Sequence, residues 1–146
     1  MSVVTAASHP DAWLALRAAL WPHCPRGRHQ EEIDAQSADV RRCAAFLVQD
    51  GQGEAVGLIE LALRGDYVNG TRSSPVAFVE GLYVAPEHRR AGMAALLLAA
   101  AKDWAIRRGC AELASDTGLD NQVSQHAHLA LDFEETERVV FYRMAL

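Results

Sequence analysis

A strand, a basic turn and a helix follow one another in residues 79–94, VEGLYVAPEHRRAGMA. The apolar strand stops at Pro86, and Arg89 and Arg90 precede Gly92, which opens a long helix rich in alanine and leucine. The first N–H groups of a helix have no acceptor within it, and its dipole is positive at that end. A glycine lets an anion approach this backbone closely. The pattern predicts a phosphate-binding turn; the alternative is a plain connection with a solvated basic turn.

The same strand carries one carboxylate, Glu80, followed by Gly81. A carboxylate in an apolar strand needs a partner or a function, because burying its charge is costly. Burial would raise its pKa towards neutral pH, and this makes Glu80 the candidate general base. A glycine inside a strand predicts a bulge or the close approach of another group.

Hydrophobic periodicity predicts the elements that hold these residues. Strands are expected over 3–6, 44–48, 55–64, 76–84, 112–115 and 139–143, and helices over 11–20, 30–36, 93–108 and 121–131. A polar loop, residues 66–74, separates the third and fourth strands. The order predicts an α/β (α+β) fold with a mixed sheet, in a single domain spanning residues 1–146.

Composition limits the kinds of molecule that the chain is expected to bind. The net charge of −5 disfavours nucleic acid and anionic membranes and suits a cationic substrate. Cys24, Cys43 and Cys110 are odd in number and lack metal-ligand spacing, which predicts reduced thiols and no metal site. No targeting segment and no run of about 20 apolar residues is found, so a cytoplasmic protein is expected.

The turn Arg89-x-x-Gly92-x-Ala94 resembles the signature of the GNAT acetyltransferases, Arg/Gln-x-x-Gly-x-Gly/Ala, in its usual place after Val-x-Pro. The resemblance implies a mostly antiparallel central sheet flanked by helices, whose splayed strands form a cleft for acetyl-CoA. Leu82 and Val84 would pair through their backbone with the pantetheine and acetyl arm, and the N–H near Leu82 would polarise the thioester carbonyl. The phosphates would lie on Arg89, Arg90, Ala91, Gly92, Met93 and Ala94.

Two later positions extend this resemblance. Asn121 matches the asparagine through which the family contacts CoA. Leu131-Asp132-Phe133 replaces the usual Leu-Gly-Phe, with an aspartate in the place of the glycine. Five positions before Phe133, many members carry a tyrosine that protonates the leaving CoA thiolate, whereas this chain has His128. A histidine can serve as a general acid, or it can be a packed helix residue near the cofactor, and both interpretations remain open.

Six longer blocks resemble one group within the family, the aminoglycoside 6′-N-acetyltransferases. They are LWP at 20–22, DYVNG at 66–70, SSPV at 73–76, VEG at 79–81, ASDT at 114–117 and FEETERV at 133–139. The resemblance implies a pocket for a polycation, with Glu80, Asp116 and Glu137 as carboxylates and Trp21 and Tyr67 as walls. Members of the group are dimers built through the C-terminal strand, so Glu137 would serve its own pocket or that of a neighbouring subunit.

Three of these residues have a purely structural alternative. Trp21 could close the core beside Pro22. Asp116 could cap a turn or a helix. Glu137 could belong to an exposed acidic run.

The function implied is direct transfer of acetyl from acetyl-CoA to the 6′-amine of aminoglycosides, giving drug resistance without an acyl-enzyme. Two alternatives remain: acetylation of another polyamine or of a protein amine, and a non-catalytic module that binds CoA.

Overall fold

The computed structural model describes all 146 residues and contains one five-stranded sheet with the order β1-β2-β3-β4-β5. The strands are β1 Ser2–Thr5, β2 Cys43–Gln49, β3 Ala55–Arg64, β4 Val76–Val84 and β5 Leu113–Ala114. The helices are α1 Pro10–Leu20, α2 Arg26–Ala38, α3 Met93–Arg107 and α4 Gln122–Ala130. Strands β1 to β4 pair antiparallel and β5 joins β4 in parallel. The predicted mixed, mostly antiparallel fold class is confirmed.

Successive residues of the central strands β2 and β3 point to opposite faces of the sheet and belong to two hydrophobic cores. Val48 and Ile59 pack against α3 through Leu97. Their neighbours Leu47 and Leu58 pack instead against α1 and α2, where the buried partners are Trp13, Leu16 and Ile33. This alternation explains why β2 and β3 are apolar along most of their length: both of their faces are covered.

Helix α2 begins directly after Pro25 and is longer than the predicted 30–36. Proline fixes its own φ near the helical value and is tolerated where a helix starts, so the helix begins four residues earlier than the apolar pattern alone suggests. None of the four α-helices combines the length and the apolar character needed to cross a bilayer.

The predicted strand 139–143 is wrong for the single chain, because residues 133–146 form neither helix nor strand. Phe141 and Tyr142 are 85% and 91% exposed. A strand requires a neighbour for its backbone hydrogen bonds, and β5, the nearest edge in the chain order, is only two residues long. The β-prone sequence therefore has no strand to pair with inside one copy of the chain.

Candidate functional site

Strand β4 contains a bulge at Glu80. Glu60 pairs with Gly81 and Leu61 pairs with Val79, so Glu80 has no partner on β3. A bulge inserts one extra residue and rotates the following side chains relative to the preceding ones. The irregularity predicted from Gly81 is confirmed.

Beyond the bulge, one edge of β4 is free. The pairing of β4 with β5 ends at Phe78 and Ala114. Ala85 N–H donates to Val56 O at 2.8 Å, towards β3. Because backbone groups alternate sides along a strand, those of Leu82 and Val84 face away from β3, towards the open side. Strands β4 and β5 thus diverge and leave an edge that an extended chain could pair with.

The turn before α3 presents a row of free backbone donors. Arg90 and Gly92 have φ values of 62° and 81°, and none of the N–H groups from 90 to 95 donates to another group of the protein. A Cβ added at Gly92 would meet no atom within 4 Å, so the space in front of the turn is open. Convergent N–H groups at a helix start suit phosphate oxygens. This structure fits the phosphate-binding prediction.

Arg89 has a structural contact in addition to its expected role. Its Nε donates to Val84 O at 2.8 Å, and its guanidinium carbon lies 5.9 Å from the centre of the Tyr83 ring. The side chain therefore ties the turn to the end of β4. The same bond occupies the Val84 carbonyl and leaves the N–H groups of Leu82 and Val84 as the available donors of the free edge.

Glu80 is exposed, so the expected burial of this carboxylate is wrong. Its side chain is 36% exposed, and each oxygen lies 3.0 Å from Nη2 of Arg64. The Arg64 guanidinium stacks in turn on the Phe78 ring, at 3.6 Å from its centroid. The bulge places Glu80 out of the apolar alternation, and the carboxylate has a charged partner instead of a desolvated environment.

The buried carboxylate of the sheet is Glu60, which is 2% exposed. It accepts hydrogen bonds from Arg17 Nη1 at 2.9 Å, Trp13 Nε1 at 2.7 Å and Gln36 Nε2 at 2.9 Å. This network joins α1 and α2 to the sheet. A buried charge that is paired and fully hydrogen-bonded is tolerated, so Glu60 has a structural explanation.

Trp21 packs on strand β4. A Cβ added at Gly81 would lie 2.8 Å from Trp21 Cη2, which shows that the indole rests on the glycine next to Glu80. Arg17 stacks on the ring at 4.7 Å. The half-buried ring therefore stands beside the bulge.

Asp116 lies beyond the last pair of β4 and β5. Continuing the register of Phe78 with Ala114 by two residues puts Asp116 opposite Glu80, where the strands diverge. Its side chain is exposed and makes no hydrogen bond or ion pair. The helix cap is Asn121, whose Oδ1 accepts from Ser124 N–H at 3.1 Å. The capping alternative for Asp116 is therefore wrong.

The loop 66–74 and the C-terminal segment contact each other at Gly70 and Thr136. Tyr67 is 73% exposed, whereas its neighbour Val68 is buried at 7%. A Cβ on Gly70 would collide with the Thr136 side chain, so the segment that carries Glu137 runs past the loop. The Glu137 side chain is exposed and unpartnered, as the acidic-run alternative expects for a single chain.

His128 bridges α4 and the end of β5. Its Nδ1 lies 2.7 Å from Ser124 O and its Nε2 lies 2.7 Å from Ser115 Oγ. A carbonyl only accepts, so Nδ1 carries the hydrogen, and in the neutral ring Nε2 accepts from the Ser115 hydroxyl. Phe133 packs on the ring with centroids 5.2 Å apart. Asp132 adopts the left-handed φ of 67° that suits a glycine, so the turn is kept.

Three partners of the site were not predicted: Arg64 beside Glu80, Ser115 beside His128, and Glu112, which binds the loop 66–74. Each contact joins residues distant in the chain, and no local pattern indicates it. No set of three or more His, Cys, Asp or Glu side chains converges as a metal site.

The chain is similar to proteins of known function. Residues 12–133 match the Acetyltransferase (GNAT) family. A relative from Serratia marcescens named aminoglycoside N(6′)-acetyltransferase type 1 is 50% identical over 146 residues, which is 100% of this chain and 99% of the relative. A protein of the same name from Salmonella typhimurium is 44% identical over 93% of this chain and 92% of its own length.

Two solved structures superpose on almost the whole chain. One is AAC(6′)-Iy in complex with the bisubstrate analog CoA-S-monomethyl-acetylneamine, with a TM-score of 0.92, 41% identity and coverage of 99% of this chain and 98% of the other. The second is the apo aminoglycoside 6′-N-acetyltransferase AAC(6′)-IG from Acinetobacter haemolyticus, with a TM-score of 0.93, 37% identity and coverage of 100% and 99%.

Proposed function

The chain belongs to the acetyltransferase (GNAT) family and to its aminoglycoside 6′-N-acetyltransferase group, and we propose that the bulged end of β4 is where its two substrates meet. The chain transfers acetyl from acetyl-CoA to the 6′-amine of aminoglycosides. The observation that supports this location is the free edge of β4, which lies between the donor turn before α3 and the carboxylates Glu80 and Asp116. We further propose that residues 1–146 act as one domain in the cytoplasm.

On the cofactor side, acetyl-CoA supplies an activated acetyl group. The N–H groups of residues 90–94 would hold its phosphates, and Arg89 would add positive charge at the same turn. The N–H groups of Leu82 and Val84 would pair with the extended arm along the free edge, and Leu82 would polarise the thioester carbonyl. The side-chain Nδ2 of Asn121 makes no hydrogen bond within the protein and would be available to CoA.

On the drug side, the exposed carboxylates Glu80 and Asp116 would bind ammonium groups of the aminoglycoside, with Trp21 and Tyr67 against the sugar rings. Glu80 would take the proton that the 6′-ammonium must lose before its nitrogen attacks, directly or through water. His128 in its protonated form would give the proton on Nε2 to the CoA thiolate, and Ser115 lies at hydrogen-bond distance from that nitrogen. Holding both substrates together lowers the barrier further.

The direct test is thiol release from acetyl-CoA after addition of kanamycin or tobramycin, beside spermidine and a hydroxyl analogue without the 6′-amine. Release with the two drugs alone is expected, because only they bring a primary amine at the 6′ position into the carboxylate-lined site. Release with spermidine at an equal rate would point to a general polyamine acetyltransferase. No release by folded protein that binds acetyl-CoA in calorimetry would point to a non-catalytic binding module.

We also propose that the chain forms a homodimer through its C-terminal segment. Val140, Phe141, Tyr142 and Met144 are between 67% and 91% exposed, and such a run of large apolar side chains is unusual on a monomer. The predicted strand 139–143 lacks a partner within one chain and would find it in the second copy. In that arrangement Glu137 would serve its own pocket or that of the second copy.

Phe141→Glu is expected to convert the dimer into a monomer, because a charge placed in the apolar segment opposes its burial. Sedimentation at several protein concentrations measures the mass. Ile106→Glu is the matched control, since Ile106 is 71% exposed and belongs to α3, not to the C-terminal segment. A monomeric wild-type protein, or a dimer that Phe141→Glu leaves unchanged, would contradict the proposal.

A further inference from the structure

The loop 66–74, which carries Tyr67, is held in place by its own hydrogen bonds and by one buried side chain. Ser74 Oγ donates to Gly65 O at 2.8 Å and closes the base of the loop. The N–H and the hydroxyl of Thr71 both donate to Val68 O, at 3.1 and 2.7 Å. The Val68 side chain is buried with Val76 and Phe78. The loop thus has a fixed base and a buried anchor, although most of its side chains are exposed.

A single carboxylate ties the far arm of the loop to the sheet. Glu112 Oε1 accepts from Arg72 N–H at 2.7 Å and from the Ser73 hydroxyl. These bonds, first that from Ser73 and then that from the Arg72 N–H, hold the pKa of Glu112 below its usual value. The position of Glu112 is itself fixed, because its carbonyl accepts from Ala77 N–H where β5 joins β4.

Tyr67 depends on this framework for its position. Its ring is 73% exposed, and its hydroxyl makes no hydrogen bond within the protein. Only the loop backbone therefore determines where the ring stands. A binding group on a backbone that is already ordered costs less conformational entropy when the ligand arrives.

We propose that Glu112 is a positioning residue: it holds the loop 66–74 in the shape that receives the aminoglycoside and so presents Tyr67 to the drug. This inference rests on the proposed role of Tyr67 in drug binding. Glu112 contacts neither substrate in this arrangement. It acts through two hydrogen bonds to the loop, from its position immediately before β5.

The test is Glu112→Ala, with KM measured separately for an aminoglycoside and for acetyl-CoA. The KM for the drug is expected to rise about tenfold, and the KM for acetyl-CoA to stay within about twofold, because the loop lies away from the donor turn before α3. Hydrogen exchange of the backbone amides in 66–74 is expected to be faster in the free variant. Glu112→Gln keeps an acceptor oxygen and should give a smaller rise. Glu31→Ala removes an exposed carboxylate of α2 and serves as the matched control.

An unchanged drug KM in Glu112→Ala would overturn the inference, even with faster exchange in the loop. Equal increases of both KM values would also overturn it, because they would indicate a general disturbance of the fold. Tyr67→Ala tests the proposal on which the inference rests. Tyr67→Ala could leave the drug KM unchanged while Glu112→Ala raises it. This result would contradict the role of Tyr67 in drug binding and retain the role of Glu112 in shaping the loop.

Discussion

Glu80→Gln is expected to lower kcat with an aminoglycoside by roughly tenfold or more. The drug amine arrives as an ammonium ion and must lose a proton before it attacks the thioester, and a carboxamide cannot accept that proton. The change keeps the size of the side chain and leaves an oxygen that can still accept from Arg64. The measurement is steady-state kcat at saturating acetyl-CoA, beside thermal unfolding to establish that the fold is intact.

The pH dependence separates proton transfer from binding. As the pH rises, more of the free drug carries a neutral amine, so the defect of Glu80→Gln should shrink at alkaline pH. Glu31→Gln removes an exposed carboxylate of α2 that makes no hydrogen bond or ion pair, and it should behave as wild type. A kcat equal to that of the wild type across the pH range would remove Glu80 as the base. A raised drug KM with unchanged kcat would leave it only a binding role.

Gly81→Ala is expected to disturb the site and the fold together. The added methyl would lie 2.8 Å from Trp21 Cη2 and 2.9 Å from Leu20 Cδ2, closer than non-bonded carbon atoms approach. Overpacking of this kind costs about 1–3 kcal/mol of unfolding free energy. Because the indole must move away from the bulge, the KM for the aminoglycoside should rise as well. Chemical denaturation and steady-state kinetics measure the two effects.

The matched control is Gly51→Ala, because Gly51 has no atom within 4 Å of its added Cβ and no positive φ. The double variant Gly81→Ala/Trp21→Ala removes the clash with the indole, so the effects on stability should not add fully. The double variant should regain part of the stability that Gly81→Ala loses. It should still bind the drug weakly, since the Trp21 indole is absent. Additive losses of stability would show that the indole is not what excludes a side chain at position 81.

Two carboxylates in apolar strands show that a local sequence pattern does not by itself predict whether a side chain is buried. Glu60 in GLIELALR and Glu80 in VAFVEGLYV have nearly the same local surroundings. In the fold, Glu60 is buried with Arg17, and Glu80 is exposed beside Arg64. Gly81 indicates that the strand is irregular, but the direction in which the bulge turns Glu80 depends on the register with β3. The apolar periodicity of a single strand does not indicate how that strand pairs with its neighbour.

The helices and most strands were predictable because their signals are local. The long helix after Gly92 and the hairpin of β2 and β3 follow from apolar periodicity and turn residues. The strand predicted over 139–143 does not form, although its residues favour strands, because pairing needs a neighbour that the chain itself lacks. The donor turn could be recognised because the amides proposed to bind phosphate are consecutive in the chain, so a local pattern indicates them.

The contact of Thr136 with Gly70 has a thermodynamic consequence. The same stretch of chain touches the loop that carries Tyr67 and leads, a few residues later, to the exposed apolar segment. If a second chain orders that segment, subunit association and drug binding act on one element and share a coupling free energy. Such coupling is reciprocal. An aminoglycoside that binds more tightly to the dimer would then strengthen the dimer by the same factor, and dilution would weaken the affinity for the drug.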